Sequence, residues 1–221
     1  MNRLFAVGKD TKIKMKDLLK DLFSNWKTIP NLLSFLRILM VPLFAVLYSK
    51  GYVLWAIIVV GLSGLSDLFD GKIARRFNQV SNLGKILDPV ADKLTIITIA
   101  ILLFIKFRTS SDALIRAFGW VFLVFLIKEA VMVVGGAVMI ALGIRPGAAE
   151  IFGKVATCVF YGVMLIIIAF GPTVGALTRL WTMPAWLTGT LVAVAAIATL
   201  TAFSSYMPET YRQFKERFSK K

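Results

Sequence analysis

The sequence predicts an all-α integral membrane protein with six transmembrane helices, preceded by an amphipathic helix on the cytoplasmic membrane surface. Hydrophobic residues make up 58% of the 221 residues and charged residues only 17%. Soluble domains contain about 45–50% apolar residues and about 25% charged residues. The apolar residues also come in runs close to the roughly 20 residues that cross a bilayer. These observations exclude a soluble enzyme, a disulfide-rich secreted domain and a disordered chain.

Six apolar segments are candidate spans, and the third of them is the informative one. It is uncharged only over residues 94–105, and such a helix is about 18 Å long. The hydrocarbon core of a bilayer is about 30 Å thick. A spanning third helix must therefore extend back through Lys93, Asp92 and Asp88. The other candidates cover approximately residues 32–48, 52–66, 118–142, 155–170 and 183–205.

The distribution of basic residues predicts the topology. With both termini and residues 71–85 on the inner side, 18 of the 23 Lys and Arg residues in loops and tails face the cytoplasm, as the positive-inside rule requires. We therefore divide the chain into a basic N-terminal segment (1–28), a six-helix transmembrane domain (29–205) and a basic cytoplasmic tail (206–221).

Residues 12–26 form a separate element within the N-terminal segment. Their apolar side chains recur at helical spacing, while lysines and aspartates occupy the other face. This pattern is typical of a helix that lies on the membrane surface. A packing helix of a soluble domain is the alternative, although the rest of the chain offers no soluble domain.

The net charge and the chemistry-bearing residues limit the possible partners. The formal charge is +14, and the chain has no histidine and one cysteine, Cys158. In so apolar a chain, anionic lipid headgroups or phosphate-bearing substrates explain the charge better than nucleic acid. Catalysis by histidine and metal binding by histidine are excluded.

Four aspartates flank the turn between the second and third spans. Asp67 and Asp70 are three residues apart, and Asp88 and Asp92 are four apart, so each pair shares one helix face. Carboxylates in an apolar region are costly unless they are paired or bind metal. Oxygen ligands favour Mg²⁺ or Mn²⁺ over zinc. An ion-pair network with the neighbouring lysines and arginines is the alternative.

The stretch that begins at Asp67 reads Asp-x2-Asp-Gly-x2-Ala-Arg-x8-Gly-x3-Asp-x3-Asp. It matches, at all eight fixed positions, the signature of the CDP-alcohol phosphotransferase family, which the chain therefore resembles. The resemblance implies transfer of a substituted phosphate from a CDP-linked donor to an alcohol, with release of CMP. It also implies a homodimer in the bacterial cytoplasmic membrane, with the active site facing the cytoplasm.

The resemblance also implies roles for particular residues. Two metal ions, Mg²⁺ or Mn²⁺, would be held by Asp67, Asp70, Asp88 and Asp92, and Asp92 would act as the general base. The CDP moiety would be contacted by Gly71, Arg75, Ser81, Pro30 and Asn31.

The acceptor alcohol is predicted from two further stretches. Residues 29–37 and the sequence Gly153-Lys154-Val155-x-Thr157 resemble bacterial phosphatidylglycerophosphate synthases, which use CDP-diacylglycerol and glycerol 3-phosphate. Cations must hold an anionic acceptor, and the candidates are Lys154, Arg145, Lys85 and Arg37.

Lys128-Glu129 departs from the Arg-Glu pair that is frequent in that branch. A cardiolipin synthase, which uses phosphatidylglycerol as acceptor, is therefore the alternative. The pair itself is predicted to form a local ion pair or a polar link between helices.

A cation transporter is the alternative from a different class of protein. It would also combine six spans with buried acids, but it would place them along a path near the membrane midplane. Here the four motif aspartates crowd one interface, and the outer segments 49–52 and 171–179 contain no acidic residue. The pattern favours the enzyme.

Overall fold

The computed structural model describes residues 28–76, 81, 83–141 and 151–219, without the side chains of 67–76, 85, 140–141, 151–152 and 216–219. Within these residues the chain is helical and contains no strand, which confirms the predicted all-α class. The helices of this part are α1 (Ile29–Ser49), α2 (Val53–Arg76), α3 (Gly84–Arg108), α4 (Ala113–Gly119), α5 (Val121–Ala141), α6 (Ile151–Phe170) and α7 (Ala185–Ser219).

Two predictions fall on residues that the structure does not describe. They are the amphipathic surface helix at residues 12–26 and the candidate acceptor contact Arg145. Both stay predictions.

Helix α3 has the length that the membrane argument requires. It begins at Gly84 and runs for 25 residues, which is about 37 Å at 1.5 Å per residue. The expected extension back through Lys93, Asp92 and Asp88 is therefore confirmed. Pro89 lies between the two aspartates inside the helix, where a proline removes one backbone hydrogen bond and favours a bend.

Not every predicted span has the composition of a membrane helix. Four stretches of the described residues are long and apolar enough to cross a bilayer: Ile29–Ser49, Ala113–Met139, Gly153–Phe170 and Ala185–Lys215. The apolar part of α2, Val53–Ser66, is shorter, and α3 carries its charged residues within the span. The predicted number of six transmembrane helices is thus not confirmed by composition.

The fourth predicted span, residues 118–142, corresponds to α5, and the short helix α4 precedes it in the structure. Asp112 caps the N-terminus of α4, since its Oδ1 accepts hydrogen bonds from the backbone N–H groups of Leu114 (2.8 Å) and Ile115 (3.1 Å). Helix α4 ends at Gly119, and α5 begins at Val121 after Trp120. The break lies inside an apolar run, so the hydropathy pattern gave no sign of it.

Helix α7 continues past the predicted end of the sixth span. It runs unbroken for 35 residues, from Ala185 to Ser219. The predicted boundary at residue 205 is therefore not a helix end, and the first part of the predicted tail is helical.

The helices pack around a core that is largely aliphatic and aromatic. Helix α1 packs on α2 and α3, α3 on α4 and α5, and α7 on α4, α5 and α6. A row of buried phenylalanines runs through it, with ring centroids 5.1 Å apart for Phe107–Phe122, 5.9 Å for Phe122–Phe125 and 5.0 Å for Phe125–Phe160. Such tilted and edge-on contacts stabilise aromatic pairs beyond the area that they bury.

The outside of the bundle is also apolar. Large hydrophobic side chains are exposed along several helices, for example Trp55 (61%), Ile127 (62%) and Ile197 (65%). A soluble protein would not leave so much apolar surface in water. With the long apolar helices, this surface indicates an integral membrane protein.

Candidate active site

The start of α1 and the start of α3 meet at one end of the bundle. Thr28 caps α1 by accepting a hydrogen bond from the backbone N–H of Asn31 (3.3 Å). The Asn31 Oδ1 atom in turn accepts a bond from the hydroxyl of Ser81 (2.8 Å), and the Ser81 Oγ atom accepts one from the backbone N–H of Gly84 (2.9 Å). Asn31 and Ser81 are both buried. The structure therefore brings together two residues that the resemblance assigned to CDP.

Gly84 is the residue that permits this close approach. A Cβ atom at position 84 would lie 2.5 Å from Asn31 Oδ1 and 3.1 Å from Ser81 Oγ. Only a residue without a side chain fits there while the Asn31–Ser81 hydrogen bond is kept. Close packing against Asn31 and Ser81 thus explains why this position of the motif is a glycine in this chain.

Asp88 is held from α1. The hydroxyl of Ser34, which is fully buried, contacts Asp88 Oδ1 and the Pro30 carbonyl oxygen (2.9 Å). A hydroxyl has one proton, so it donates to one of these oxygens at a time or shares its proton between them. Through Ser34, the position of the Asp88 carboxylate depends on the first turns of α1.

Asp92, one helical turn further along α3, is held from α6. The hydroxyl of Tyr161 donates a hydrogen bond to Asp92 Oδ1 (3.1 Å). Hydrogen bonds to an ionised carboxylate are stronger than those between neutral groups. Both α3 aspartates are half-buried, and each has a hydroxyl from a different helix on one of its oxygens.

Neither hydroxyl was among the residues predicted from the sequence. Ser34 lies three residues after Asn31, on the same face of α1. Tyr161 lies two helical turns after Lys154, on the same face of α6. Extending the predicted contacts along these helix faces would have found both.

Lys93, Glu129 and Lys128 form an ionic cluster beside Asp92, which we call the Lys–Glu–Lys cluster. Glu129 is 2% exposed and accepts hydrogen bonds from the ammonium groups of Lys93, on α3, and of Lys128, its neighbour on α5 (2.5 Å for Lys128). The pair predicted at 128–129 is therefore a local ion pair, and it is also a polar link between α3 and α5.

The other predicted site residues are placed less completely. Arg37 is buried on α1 (1% exposed), and Lys154 is exposed in the first turn of α6. The backbone of Lys85 lies at the start of α3. Four predicted positions lie in the last turns of α2, where the structure describes the backbone only: Asp67, Asp70, Gly71 and Arg75.

The aspartates agree in chemical kind with a divalent cation. Among the side chains that the structure describes, no three candidate ligands form a cluster, because half of the predicted set lies beyond them. Asp88 and Asp92 supply oxygen atoms from one face of α3, and oxygen is the ligand that Mg²⁺ and Mn²⁺ prefer. The residues present fit such an ion, although they do not by themselves make a complete site.

Comparison with known proteins supports the same reading. A cardiolipin synthase (CMP-forming) of Streptomyces coelicolor is 38% identical over 154 residues, which are 65% of this chain and 66% of that protein. A putative cardiolipin synthase of Mycobacterium bovis is 41% identical over 75 residues, or 34% of this chain and 36% of that protein. A CDP-diacylglycerol–glycerol-3-phosphate 3-phosphatidyltransferase of Rickettsia typhi is 39% identical over 84 residues, which are 36% of this chain and 47% of that protein.

The matched region thus spans at most about two thirds of these relatives. The family model for CDP-alcohol phosphatidyltransferase matches residues 27–202. This range contains the complete eight-residue motif, the start of α1 with Asn31 and Ser34, and both residues that hold α3 from α5 and α6. The resemblance to a transferase family is confirmed: the chain belongs to the CDP-alcohol phosphatidyltransferase family.

Proposed function

We propose that the protein transfers a phosphatidyl group from CDP-diacylglycerol to the primary hydroxyl of a glycerol that carries a phosphate, and releases CMP. The observation that carries this proposal is the complete motif from Asp67 to Asp92 within a family match that covers residues 27–202. A cation transporter would not need the CDP-linked chemistry of this family. We therefore favour an enzyme over a cation transporter.

In the proposed reaction, Asp92 acts as the general base. Its carboxylate takes the proton of the acceptor hydroxyl, and the oxygen forms a bond to the phosphorus that bears the diacylglycerol. The bond from that phosphorus to the oxygen bridging to CMP breaks, and CMP leaves with the electron pair. Tyr161 orients the Asp92 carboxylate through the hydrogen bond of 3.1 Å to its Oδ1 atom.

Two divalent ions would be held by Asp67, Asp70, Asp88 and Asp92. When bound, they supply positive charge to the pyrophosphate and to the departing CMP. Asn31, Pro30, Ser81, Gly71 and Arg75 are the proposed contacts of the CDP moiety. The buried network of Asn31, Ser81 and Gly84 supports this part of the proposal, because it lies at the same end of the bundle as the aspartates.

Phosphatidylglycerol is the acceptor that we place first. The longest of the reported alignments is with a cardiolipin synthase and covers 65% of the chain. Glycerol 3-phosphate is the second candidate, favoured by residues 29–37 and by the Rickettsia relative. For this acceptor the proposed cations are Lys154, Arg145, Lys85 and Arg37.

The proposed setting is a bacterial cytoplasmic membrane, crossed six times, with the aspartate end of the bundle on the cytoplasmic side. The distribution of Lys and Arg supports this orientation. Residues 12–26 would lie on the same surface as an amphipathic helix, and two copies of the chain would form a homodimer. The three predicted segments, 1–28, 29–205 and 206–221, belong to this proposal.

The decisive experiment measures CMP release by the purified protein in phospholipid-free detergent. CDP-diacylglycerol is offered with phosphatidylglycerol, with glycerol 3-phosphate or with no acceptor, and the lipid product is identified by mass spectrometry. We expect cardiolipin with the first acceptor, and loss of all turnover when excess EDTA removes the metal. If phosphatidylglycerol phosphate were the sole product, the acceptor would be glycerol 3-phosphate rather than phosphatidylglycerol. Absence of CMP release with either acceptor would overturn the proposed function. Full turnover in excess EDTA would show that the reaction needs no divalent metal.

A further inference from the structure

The Lys–Glu–Lys cluster carries more positive than negative charge. It contains two ammonium groups and one carboxylate, so one positive charge remains after Glu129 is balanced. The residual charge lies within an apolar bundle, where charged side chains are costly and mark binding sites or ion pathways. A cluster that served only to link helices would be cheaper as one lysine and one glutamate.

The two lysines are also the open side of the cluster. The side chains of Lys93 and Lys128 are 27% and 17% exposed, whereas that of Glu129 is 3% exposed. A small cavity of about 20 Å³ adjoins Lys128 and Glu129, and its lining includes the hydroxyl-bearing Thr157 and Thr199. The carboxylate is thus more enclosed than the two lysine side chains, which form the more exposed part of the cluster.

The cluster lies next to the proposed general base. Tyr161, whose hydroxyl bonds Asp92, lies one helical turn after Thr157 on the same face of α6. Thr157 lines the cavity beside Lys128 and Glu129. In either candidate acceptor, the reacting hydroxyl and the phosphate are carried by the same three-carbon glycerol. A group that binds this phosphate must therefore lie near the base, and one face of α6 joins the cavity of the cluster to Asp92.

We propose that the Lys–Glu–Lys cluster binds the phosphate of the acceptor and that its single surplus charge matches a phosphodiester. This inference rests on the proposed function. The diester of phosphatidylglycerol carries one negative charge, which the surplus charge of the cluster neutralises. The monoester of glycerol 3-phosphate carries close to two and would leave negative charge unbalanced. Glu129 sets the charge of the site and holds both lysines in place.

The test uses Lys128→Gln, which makes the cluster neutral. We expect the KM for phosphatidylglycerol to rise about 10- to 100-fold, as for the loss of a hydrogen bond to a charged group. The KM for CDP-diacylglycerol should change less than about twofold, because only the acceptor touches the cluster. Lys128→Arg keeps the charge and should restore most of the affinity. Lys50→Gln, an equivalent change in the loop between α1 and α2, is the matched control.

A charge-restoring double variant separates this role from a structural one. In Lys128→Gln/Glu129→Gln, Lys93 remains as the single charge, so the surplus of one returns. We expect its KM for phosphatidylglycerol to fall back to within about fivefold of the wild-type value. If the cluster only linked helices, the double variant would be worse than the single one, in KM and in thermal stability alike.

Equal changes of both KM values in Lys128→Gln, or no change in either, would overturn the inference while the wild-type protein still released CMP. Absence of CMP release from the wild-type protein would instead overturn the proposed function. Titration of short-chain phosphatidylglycerol into the donor-free protein checks the same affinities without turnover. It applies equally to the double variant if Lys128→Gln alone fails to fold.

Discussion

The two ends of the bundle are built by different physical means. At the polar end, defined by Asn31, Ser34, Ser81, Asp88, Asp92 and Tyr161, the helices are joined by hydrogen bonds between buried polar groups. At the aromatic end, defined by Phe44, Tyr48, Phe107, Phe118, Phe122 and Gly189, they are joined by close packing of rings and small residues.

This difference predicts which property a substitution changes. Buried polar contacts contribute modestly to net stability but fix the position of the groups that they join. Packed apolar side chains contribute directly to the free energy of unfolding. Substitutions at the polar end should therefore lower activity more than stability, and substitutions at the aromatic end should do the reverse. One variant at the polar end with its control, and two pairs of variants that compare the ends, test this contrast.

The largest effect is expected from Asp92→Asn. Asparagine is close to aspartate in size but cannot accept a proton as a base, and losing general-base catalysis costs about 10²–10⁴-fold in turnover. CMP release at saturating substrates measures it. The control is Asp112→Asn at the N-terminus of α4, where asparagine caps a helix about as well as aspartate, and turnover should be unchanged. More than about a tenth of the wild-type turnover in Asp92→Asn would contradict the assignment.

The first of the two pairs removes one hydroxyl at each end. Tyr161→Phe deletes the hydrogen bond to Asp92, so kcat should fall about tenfold or more while both KM values stay within about twofold. Tyr48→Phe deletes a buried hydroxyl that has no hydrogen-bond partner within the described residues. Removing an unsatisfied buried group should leave activity unchanged and keep or raise the melting temperature.

A parallel rise of both KM values in Tyr161→Phe would show that Tyr161 supports the fold of the site rather than the orientation of Asp92. A loss of activity in Tyr48→Phe would show that the aromatic end is not catalytically neutral.

The smallest effects come from two glycine-to-alanine changes. In Gly84→Ala the new methyl group would displace Asn31, which lies 2.5 Å from the Cβ position. We expect weaker CDP binding in calorimetric titration and little loss of stability. In Gly189→Ala the methyl group would overlap the ring of Phe118. Overpacking of this kind costs about 1–3 kcal/mol, read as a lower melting temperature with unchanged CDP affinity. If both variants lost CDP affinity and melting temperature alike, the proposed difference between the two ends would be wrong.

Sequence reasoning predicted those parts of the structure that depend on neighbouring residues or on the family resemblance. The length of α3 followed from an uncharged stretch of 12 residues and the thickness of a bilayer. The grouping of Asn31 and Ser81 followed from the resemblance alone, since nothing in composition connects positions 50 residues apart. The Lys128–Glu129 pair followed from adjacency.

The features that were missed depend on how helices meet. The contacts Ser34–Asp88 and Tyr161–Asp92 join positions 54 and 69 residues apart, and Lys93 reaches Glu129 across α3 and α5. The break at Trp120 falls in an apolar run, and the helix past residue 205 continues where hydropathy ends, because hydropathy records transfer into lipid rather than helix formation. Tertiary packing decides each of these points.

The continuity of α7 has a mechanical consequence. A helix of 35 residues is about 52 Å long, longer than a hydrocarbon core of about 30 Å, so part of this helical rod must lie outside the core. Arg212 and Lys215 therefore stand at set heights beyond Ser205, about 10 and 15 Å along the rod. The one point along this stretch where the rod can flex is Pro208, which lacks the N–H that would bond the carbonyl of Ser204. Tilting of the part before Pro208 therefore reaches the last turns through this flexible point, and a rigid label on those turns would report the bend at Pro208 as a change of angle.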